Sequence, residues 1–304
     1  MSLLNMPSDG MPNVLVALYR YLLATGPTPA TKLIDVCAPD GVCRQDRAKA
    51  TLNTWTKLGF FEREDDTVRL APGLPAPVRD RKTGEDELRP ALRQTLRELV
   101  LRADNNEPLW GPEGRAADFT RGLAWCLAMD PLRLHGNGYD PVNRLELDTL
   151  PTDREVFRND TRWNGFKVWT VFLGFGWLAR FPKAGTLVVD PTPAVRDALS
   201  DVFAGAAEAT QRDFFARLRE QLPVLDGGTY RTDVESKLTR TAWQPPGTGQ
   251  VSASLSLALL RLRNEGVIEF ADRADPAAGR AVLTGRGGRV LTAASHVLFA
   301  GGRS

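Results

Sequence analysis

The stretch Leu52–Pro72, LNTWTKLGFFEREDDTVRLAP, decides the fold that we predict for this chain. Apolar side chains recur every three or four residues up to Leu58, which is the spacing of one buried helix face. Gly59 follows at once and suits the left-handed position at which many helices end. Two short apolar strands then flank an acidic turn at Asp65 and Asp66. The stretch therefore predicts a helix that leads into a β-hairpin.

Two further helices are predicted before this stretch. The segment VLVALYRYLL, which begins at Val14, carries an apolar stripe, and the segment TPATKLIDVCAP ends at Pro39. Three helices followed by a hairpin is the order of a winged helix-turn-helix module. We therefore expect residues 1–72 to form one such module.

The same pattern recurs twice farther along the chain. It returns 117 residues on, in WTVFLGFGWLARFPKAGTLVVDP, where Gly176 takes the place of Gly59. It returns again 207 residues on, in LALLRLRNEGVIEFADRADPAAGRAVLTG, where Gly266 takes that place. Internal repetition of this kind indicates a series of similar structural units. The third unit is expected to have a longer wing, with its tip at residues 275–279.

These repeats predict a mainly α protein with small β-hairpins, arranged as tandem winged helix-turn-helix domains. The expected order is module 1 at residues 1–72, a linker and a long amphipathic helix at 73–112, module 2 at 113–192, and module 3 with a basic C-terminal segment at 193–304. The proline- and glycine-containing stretch Pro72–Gly84 is typical of an extended linker.

The composition is that of an ordinary globular protein. Of its 304 residues, 42 % are hydrophobic and 25 % are charged. The net charge of +2 is too balanced to indicate nucleic-acid binding by itself. The basic residues are mostly arginine, which a GC-rich genome also encodes often, so only local clusters count. There is no apolar run of about 18 residues and no signal peptide pattern, so we expect a cytoplasmic protein without a membrane span.

The sequence lacks a recognisable catalytic motif. The glycine-containing stretch GTGQVSAS has no P-loop lysine, and neither G-x-S-x-G nor H-E-x-x-H occurs. His135 lies in a predicted loop and His296 on a predicted C-terminal helix. Cys37 and Cys43 could contribute to a metal site, but no second pair of ligands follows them. We therefore expect no enzymatic activity, no cofactor and no bound metal.

Local clusters of basic and polar side chains are the candidate DNA contacts, because Arg and Lys bind phosphates while Arg, Asn, Gln and Ser can read base edges. In module 1 they lie on the third predicted helix, whose neighbouring wing tip EREDD is acidic and would repel phosphate. The candidates of all three modules are Arg44, Gln45, Arg47, Lys49, Asn53, Lys57, Arg158, Arg162, Asn164, Lys167, Lys183, Arg261, Arg263, Arg286 and Arg289.

Other residues near these clusters have two interpretations. Trp163 could stack on a base or pack in the core. Ser252, Ser254 and Ser256 could read bases at the third repeat, and the segment TGRGGRV could be a flexible basic loop that follows a phosphate strand. Each cluster could equally be a solvated helix face. Winged helices also serve as protein–protein modules, so two functions stay open: a DNA-binding module, or an adaptor in a larger complex.

The N-terminal run LLNMPSDGMPNVLVALYRYLL, together with the segment TLNTWTKLGFFE, resembles the G protein family of bacterial 7-deazapurine-in-DNA (Dpd) gene clusters. The resemblance covers roughly the first 70 residues and the total length. It implies an accessory role in a DNA modification and restriction system that acts in phage defence. Double-stranded DNA, bound weakly or only within a complex, is the partner that the basic clusters predict. The partners that the resemblance implies are other proteins of the same gene cluster. It assigns no functional residues.

Overall fold

The computed structural model describes residues 3–4, 10–42, 44–111, 114–131, 134, 138–180, 185–239, 242–273 and 279–300. Helices account for 54 % of the chain and the strands form only small sheets, which confirms the mainly α class. Within the described ranges, no helix has both the length and the apolar character that a membrane span requires. The chain divides into two compact units: unit 1 comprises residues 1–120 and 159–173, and unit 2 comprises residues 121–158 and 174–304.

The described chain contains both helices and strands. The helices are α1 (Pro12–Thr25), α2 (Ala30–Cys37), α3 (Gln45–Leu58), α4 (Ala76–Arg79), α5 (Glu85–Leu101), α6 (Ala103–Asn106), α7 (Ala117–Ala128), α8 (Tyr139–Thr149), α9 (Asp160–Phe172), α10 (Thr192–Phe203), α11 (Gln211–Gln221), α12 (Thr229–Lys237) and α13 (Ala253–Asn264). The strands are β1 (Thr28–Pro29), β2 (Phe61–Glu64), β3 (Thr67–Leu70), β4 (Gly176–Ala179), β5 (Thr186–Val189), β6 (Glu208–Thr210), β7 (Gln250–Val251), β8 (Ile268–Ala271), β9 (Ala281–Thr284), β10 (Val290–Ala294) and β11 (His296–Phe299).

Unit 1 contains the predicted helix and hairpin. Helix α3 buries one apolar face that includes Leu52 and Trp55. It ends at Gly59, whose φ of 93° lies in the left-handed region, and the Phe60 amide then donates to the carbonyl of Trp55 at 2.8 Å. Because these bonds satisfy carbonyls that a helix end leaves unpaired, the glycine stops the helix where the sequence predicts.

The hairpin β2–β3 belongs to a three-stranded antiparallel sheet in the order β1-β3-β2. In it Thr28 pairs with Val68, and Phe61 pairs with Leu70. The order of elements in residues 12–70 is therefore helix, strand, helix, helix, hairpin.

Aromatic side chains form the centre of unit 1. The rings of Trp55 and Trp169 lie 5.4 Å apart, and those of Tyr19 and Phe60 lie 5.7 Å apart. The Tyr19 hydroxyl donates to the Val78 carbonyl at 2.9 Å. Since α4 and buried Val78 pack into this unit, the segment after β3 does not run as an extended linker.

In the described part of unit 2, the strands form three small sheets. Their strand orders are β6-β11-β8, β10-β9-β7 and β4-β5, with only β7 and β9 parallel. The rings of Phe203 and Phe299 stack at 5.0 Å, which packs α10 against the first of these sheets. From α10 to β11 the main elements follow the same order as in residues 12–70, with α12, β7 and the β9–β10 hairpin as additional elements.

One hydrogen bond recurs where each helix leads into its strands. The amides of Ala71, Asp190 and Ala300 donate to the carbonyls of Phe60, Phe175 and Val267, respectively, at 3.1, 2.9 and 3.0 Å. The three predicted repeats thus share this local bond, which closes the open end of each strand pair.

The predicted alignment of the second repeat is wrong by two residues. Gly176 is the first residue of strand β4, and the left-handed glycine is Gly174, with a φ of 86°. The segment LGFG offers two glycines in an apolar run, so the apolar pattern alone could not distinguish them. Gly266 of the third repeat has the expected left-handed φ of 72°.

The predicted wing of the third repeat is also corrected. Strand β8 pairs with β11 and not with β9, and β9 and β10 form their own hairpin between them in the chain. Of the predicted tip, residues 275–278 lie outside the described residues. His296 lies in strand β11 rather than on a helix, because this segment pairs with β6 on one side and with β8 on the other.

Candidate nucleic-acid interface

Helix α3 carries three candidate residues on the side opposite its buried face. Lys49, Asn53 and Lys57 are all exposed, and because four residues separate each from the next they lie close to one line along the helix. Among the described residues, none of their side chains has a hydrogen bond or an ion pair. These three side chains are therefore open to a ligand from solvent.

The first turn of α3 contributes less than predicted. Arg44 forms an ion pair with Asp46 at 2.6 Å, and the hydrogen bond from Arg44 lowers the pKa of the Asp46 carboxyl. The Gln45 side chain donates to Asp35 at 3.0 Å, and Arg47 is half-buried. Nearby acids therefore compete with any phosphate for this end of the helix.

The hairpin next to α3 is acidic, as its sequence predicts. Both arginines of the hairpin form ion pairs within it: Arg69 pairs with Glu62 at 2.8 Å and Arg63 pairs with Asp66 at 3.5 Å. The turn residue Asp65 is exposed. This hairpin would repel a phosphate backbone, so contact with DNA in this unit depends on the helix.

The candidates on helix α9 are mostly turned inward. Arg162 binds Asp118 at 2.8 Å, and both side chains are largely buried. Lys167 is half-buried, and burial lowers the pKa of its ammonium group. Trp163 is fully buried, so it packs in the core and does not stack on a base. Only Asn164 is exposed as predicted.

Two further candidates of this region stand apart from α9. Arg158 belongs to unit 2 and is exposed, with a left-handed φ of 57°. Lys183 lies outside the described residues. The basic cluster that the sequence predicts before the second repeat is therefore not assembled on one element.

The arginines of the third repeat have partners within unit 2. Arg261 forms an ion pair with Asp190. The guanidinium of Arg263 lies 5.8 Å from the centre of the Phe270 ring, within the range of a cation–π contact. Both arginines remain exposed, although each has a partner within the unit: an acid beside Arg261 and an aromatic ring beside Arg263.

The three serines at the start of α13 are structural. Ser252, Ser254 and Ser256 are all buried. Ser254 donates to the Leu127 carbonyl at 2.7 Å, and Ser256 accepts from the Thr284 amide at 2.9 Å. They connect the helix to its neighbours and do not read bases.

The basic segment near the C-terminus exposes two arginines in a single turn. Arg286 and Arg289 lie in the turn between β9 and β10, and both are exposed without an ion pair among the described residues. The segment TGRGGRV, expected to be a flexible loop, contains this turn, and Val290–Ala294 and His296–Phe299 are strands. Arg280 is paired with Asp272 at 2.7 Å.

Potential metal ligands and nucleophiles do not converge in the described part of the chain. No group of three or more His, Cys, Asp or Glu side chains there could hold a metal ion. Burial raises the pKa of the Cys126 thiol well above its ordinary value, and it also raises the pKa of Cys37. The ring nitrogen Nδ1 of His296 is 3.0 Å from the Ser295 hydroxyl. His135 and Cys43 lie outside the described residues.

Sequence reasoning missed the acids that neutralise the predicted arginines. Asp118 lies 44 positions from Arg162, and Asp190 lies 71 positions from Arg261. Such partners leave no periodic signal in the sequence because the contact depends on tertiary packing. It also missed a cleft in unit 2 beside the segment TGRGGRV, although the glycines of that segment pointed to an unusual turn.

Comparison with known proteins identifies the family. The sequence model of a family described as DpdG-like matches residues 1–276, which is most of the chain. No match was found among the curated proteins or among the solved structures. The resemblance to the G protein of Dpd clusters, inferred from the N-terminal residues, is thereby confirmed. The chain belongs to the DpdG-like family, which supports its place among the components of a Dpd system.

Proposed function

We propose that this chain is a non-enzymatic, DNA-binding component of a Dpd modification and restriction system, and that α3 is the helix that contacts double-stranded DNA. The observation that carries the proposal is the exposed row Lys49, Asn53 and Lys57 on α3. In this proposal the protein acts together with other proteins of the same gene cluster, which hold it on the DNA.

The order of elements around α3 supports this role. In a winged helix-turn-helix module the third helix enters the major groove, and α3 is the third helix of the set helix, strand, helix, helix, hairpin. The same order from α10 to β11 supports a second module of this type. The predicted module at residues 113–192 remains a proposal, since its helices and strands contribute to both compact units.

The chemistry of the exposed row suits a DNA groove. Lys49 and Lys57 are eight residues apart, which is about 12 Å along a helix axis, and the major groove of B-form DNA is about 12 Å wide. Lysines bind phosphates without regard to sequence, while an asparagine between them can bond an adenine edge through two hydrogen bonds. Lys49 and Lys57 would therefore supply affinity and Asn53 would supply specificity.

Charge reversal on this row tests the proposal. The double variant Lys49→Glu/Lys57→Glu should weaken binding to a DNA duplex by at least about tenfold. The slope of log affinity against log salt should fall by about 2, because each lost phosphate contact removes about 0.9. Fluorescence anisotropy with a labelled duplex at several salt concentrations measures both quantities.

The matched control is Arg81→Glu/Lys82→Glu. It changes the net charge by the same amount at two exposed residues that follow α4 in the same unit. Equal losses in the two double variants would show that only total charge matters, and the assignment to α3 would be lost.

A second candidate function is that of a protein–protein adaptor. It is favoured by the exposed side chains of Trp177 and Leu178, which are 44 % and 42 % accessible on strand β4. As neighbours on one strand the two side chains lie on opposite faces of the two-stranded sheet, and an exposed large apolar side chain suits a partner surface. Duplex binding that is absent at micromolar protein, at every salt concentration, would remove the DNA role and leave the adaptor role.

A further inference from the structure

A cleft of about 450 Å³ opens in unit 2 where the chain before α13 meets the turn between β9 and β10. Its size lies in the range of small-molecule sites. All of its lining residues belong to unit 2. None of them takes part in the candidate interface on α3.

Part of the cleft lining is apolar. Trp243, Pro245, Pro246 and Met129 line it. Trp243 is held in place because its indole N–H donates to the carbonyl of Ala128 at 3.0 Å. Trp243 is only 7 % accessible, so its ring and the prolines beside it form an apolar wall against which a heterocycle can pack.

The cleft is also lined by Gly285, Gly287 and Gly288 of the turn between β9 and β10. The Gly285 amide donates to the Arg289 carbonyl at 2.8 Å, and the Gly288 amide donates to the Gly285 carbonyl at 3.1 Å. Gly287 adopts a left-handed conformation, with φ 65° and ψ 24°, directly after helical Arg286. Successive amides in this arrangement converge and form a concave anion site. Among the described residues, neither the Arg286 nor the Gly287 amide has a hydrogen-bond partner.

The charge around the turn also favours an anion. The exposed side chains of Arg286 and Arg289 belong to the turn itself, and residues 279–300 contain no acid. Asp130, Gln244 and Gln250 also line the cleft. The Gln250 side-chain oxygen accepts from the Gly247 amide at 3.0 Å, and the amide donors of that side chain suit the polar edge of a heterocycle.

We propose that this cleft binds a nucleotide, with the base against Trp243 and the phosphate on the glycine turn between Arg286 and Arg289. The ligand could come from two sources that share this chemistry, a free mononucleotide or a nucleotide within a single strand. The proposal goes beyond duplex binding by α3 and does not depend on it.

Titration of the purified full-length protein tests the proposal. Isothermal titration calorimetry with deoxyadenosine monophosphate, deoxyadenosine, inorganic phosphate and a short single-stranded oligonucleotide separates the contributions. We expect the nucleotide or the oligonucleotide to bind at least tenfold more tightly than the nucleoside or inorganic phosphate alone. Binding by the mononucleotide assigns the free source, and binding by the oligonucleotide alone assigns the strand. No binding of either at millimolar concentration overturns the proposal.

Variants then locate the site. Ala253→Trp places a bulky ring in the cleft at a half-buried lining residue and should abolish binding. Leu257→Trp, one turn farther along α13 and exposed outside the cleft, should not change it.

Arg286→Ala/Arg289→Ala should weaken nucleotide binding at least tenfold and leave nucleoside binding unchanged. Ala242→Trp, also in the lining, replaces Ala253→Trp if circular dichroism shows that the latter does not fold.

The outcomes separate this proposal from the proposed function. The α3 variant Lys49→Glu/Lys57→Glu should bind nucleotide normally, and Ala253→Trp should bind duplex normally. Nucleotide binding that is unchanged in both Ala253→Trp and Arg286→Ala/Arg289→Ala would place the ligand elsewhere. That result would overturn the inference, whatever the behaviour of duplex DNA.

Discussion

At the scale of single residues, Gly165 shows how tightly the buried N-terminal segment fits against helix α9. A Cβ atom at this position would lie 1.9 Å from the carbonyl oxygen of Leu4. Leu3 and Leu4 are fully buried. Glycine is therefore required here by the close approach of another backbone, since its φ is that of an ordinary helix residue.

We predict that Gly165→Ala destabilises the protein by about 1–3 kcal/mol, because the N-terminal segment must shift to admit the methyl group. In an open helix the same change would stabilise by up to about 1 kcal/mol, so the sign of the effect is diagnostic. Urea unfolding followed by circular dichroism measures it. Asn164→Ala, at the exposed neighbouring position, should change stability by less than about 0.5 kcal/mol. A more stable Gly165→Ala protein would rule out the close contact.

Whether a predicted arginine is available to bind phosphate depends on the neighbours of that residue. Arg162 and Arg261 have the chemistry that phosphate recognition needs, but each is bound to a carboxylate of its own unit. Lys49 and Lys57 are chemically less specific, yet their side chains are exposed without an ion pair among the described residues. Residue type therefore predicts what a side chain could do, while its partners decide whether it is available.

At the scale of elements, Tyr19 connects α1 to α4. Its ring packs on Phe60 and its hydroxyl donates to the Val78 carbonyl at 2.9 Å. Burial of the hydroxyl raises the pKa of Tyr19 to about 12 from an ordinary value of 10.0. The neutral phenol is thus the form that the folded protein keeps.

We predict that Tyr19→Phe costs about 1 kcal/mol at pH 7, because the Val78 carbonyl loses its buried partner. The wild-type contribution is fully present below pH 10. It declines as the pH rises from 10 towards 12, because the unfolded tyrosine ionises first and the unfolded state is stabilised. The stability difference between the two proteins should therefore narrow over this range, as urea unfolding at a series of pH values would show.

The control for this prediction is Tyr21→Phe. Tyr21 lies on the same helix and is only half-buried, so its loss should have little effect at pH 7. A Tyr19→Phe difference that stays constant from pH 9 to pH 12 would contradict the assigned role of the hydroxyl.

At the scale of the whole molecule, unit 1 is built from two separate parts of the chain. Residues 159–173 complete a core whose other residues come from 1–120. The ring of Trp169 lies 5.4 Å from that of Trp55, and Arg97 donates to the Leu173 carbonyl at 3.2 Å. Residues 1–120 without residues 159–173 would expose this apolar surface to water.

We predict that a chain of residues 1–120 fails to unfold cooperatively and binds the dye ANS, because its core lacks α9. Joining residues 159–173 to it through a flexible glycine–serine linker of about 20 residues should restore a cooperative urea transition, since such a linker spans roughly 25 Å. Circular dichroism and ANS fluorescence of the two chains measure this. A cooperative, ANS-negative chain of residues 1–120 would show that unit 1 does not need α9.

Local patterns in the sequence were sufficient for the parts of the fold that neighbouring residues control. The buried stripe of α3, its stop at Gly59 and the hairpin that follows depend on spacing, backbone freedom and turn chemistry within about 20 residues, so the sequence alone predicts them. The acidic nature of that hairpin is readable in the same way. Family membership was also recognisable, because it depends on the order of residues alone.

Only the tertiary structure decided what depends on residues far apart in the chain. It chose Gly174 over Gly176 as the end of the second repeat's helix, and it paired β8 with β11 across the inserted β9–β10 hairpin. It also set which cations remain exposed and formed the cleft beside the glycine turn. The physical reason is that burial, ion pairing and strand partners are properties of a three-dimensional neighbourhood, and many neighbourhoods are compatible with the same local pattern.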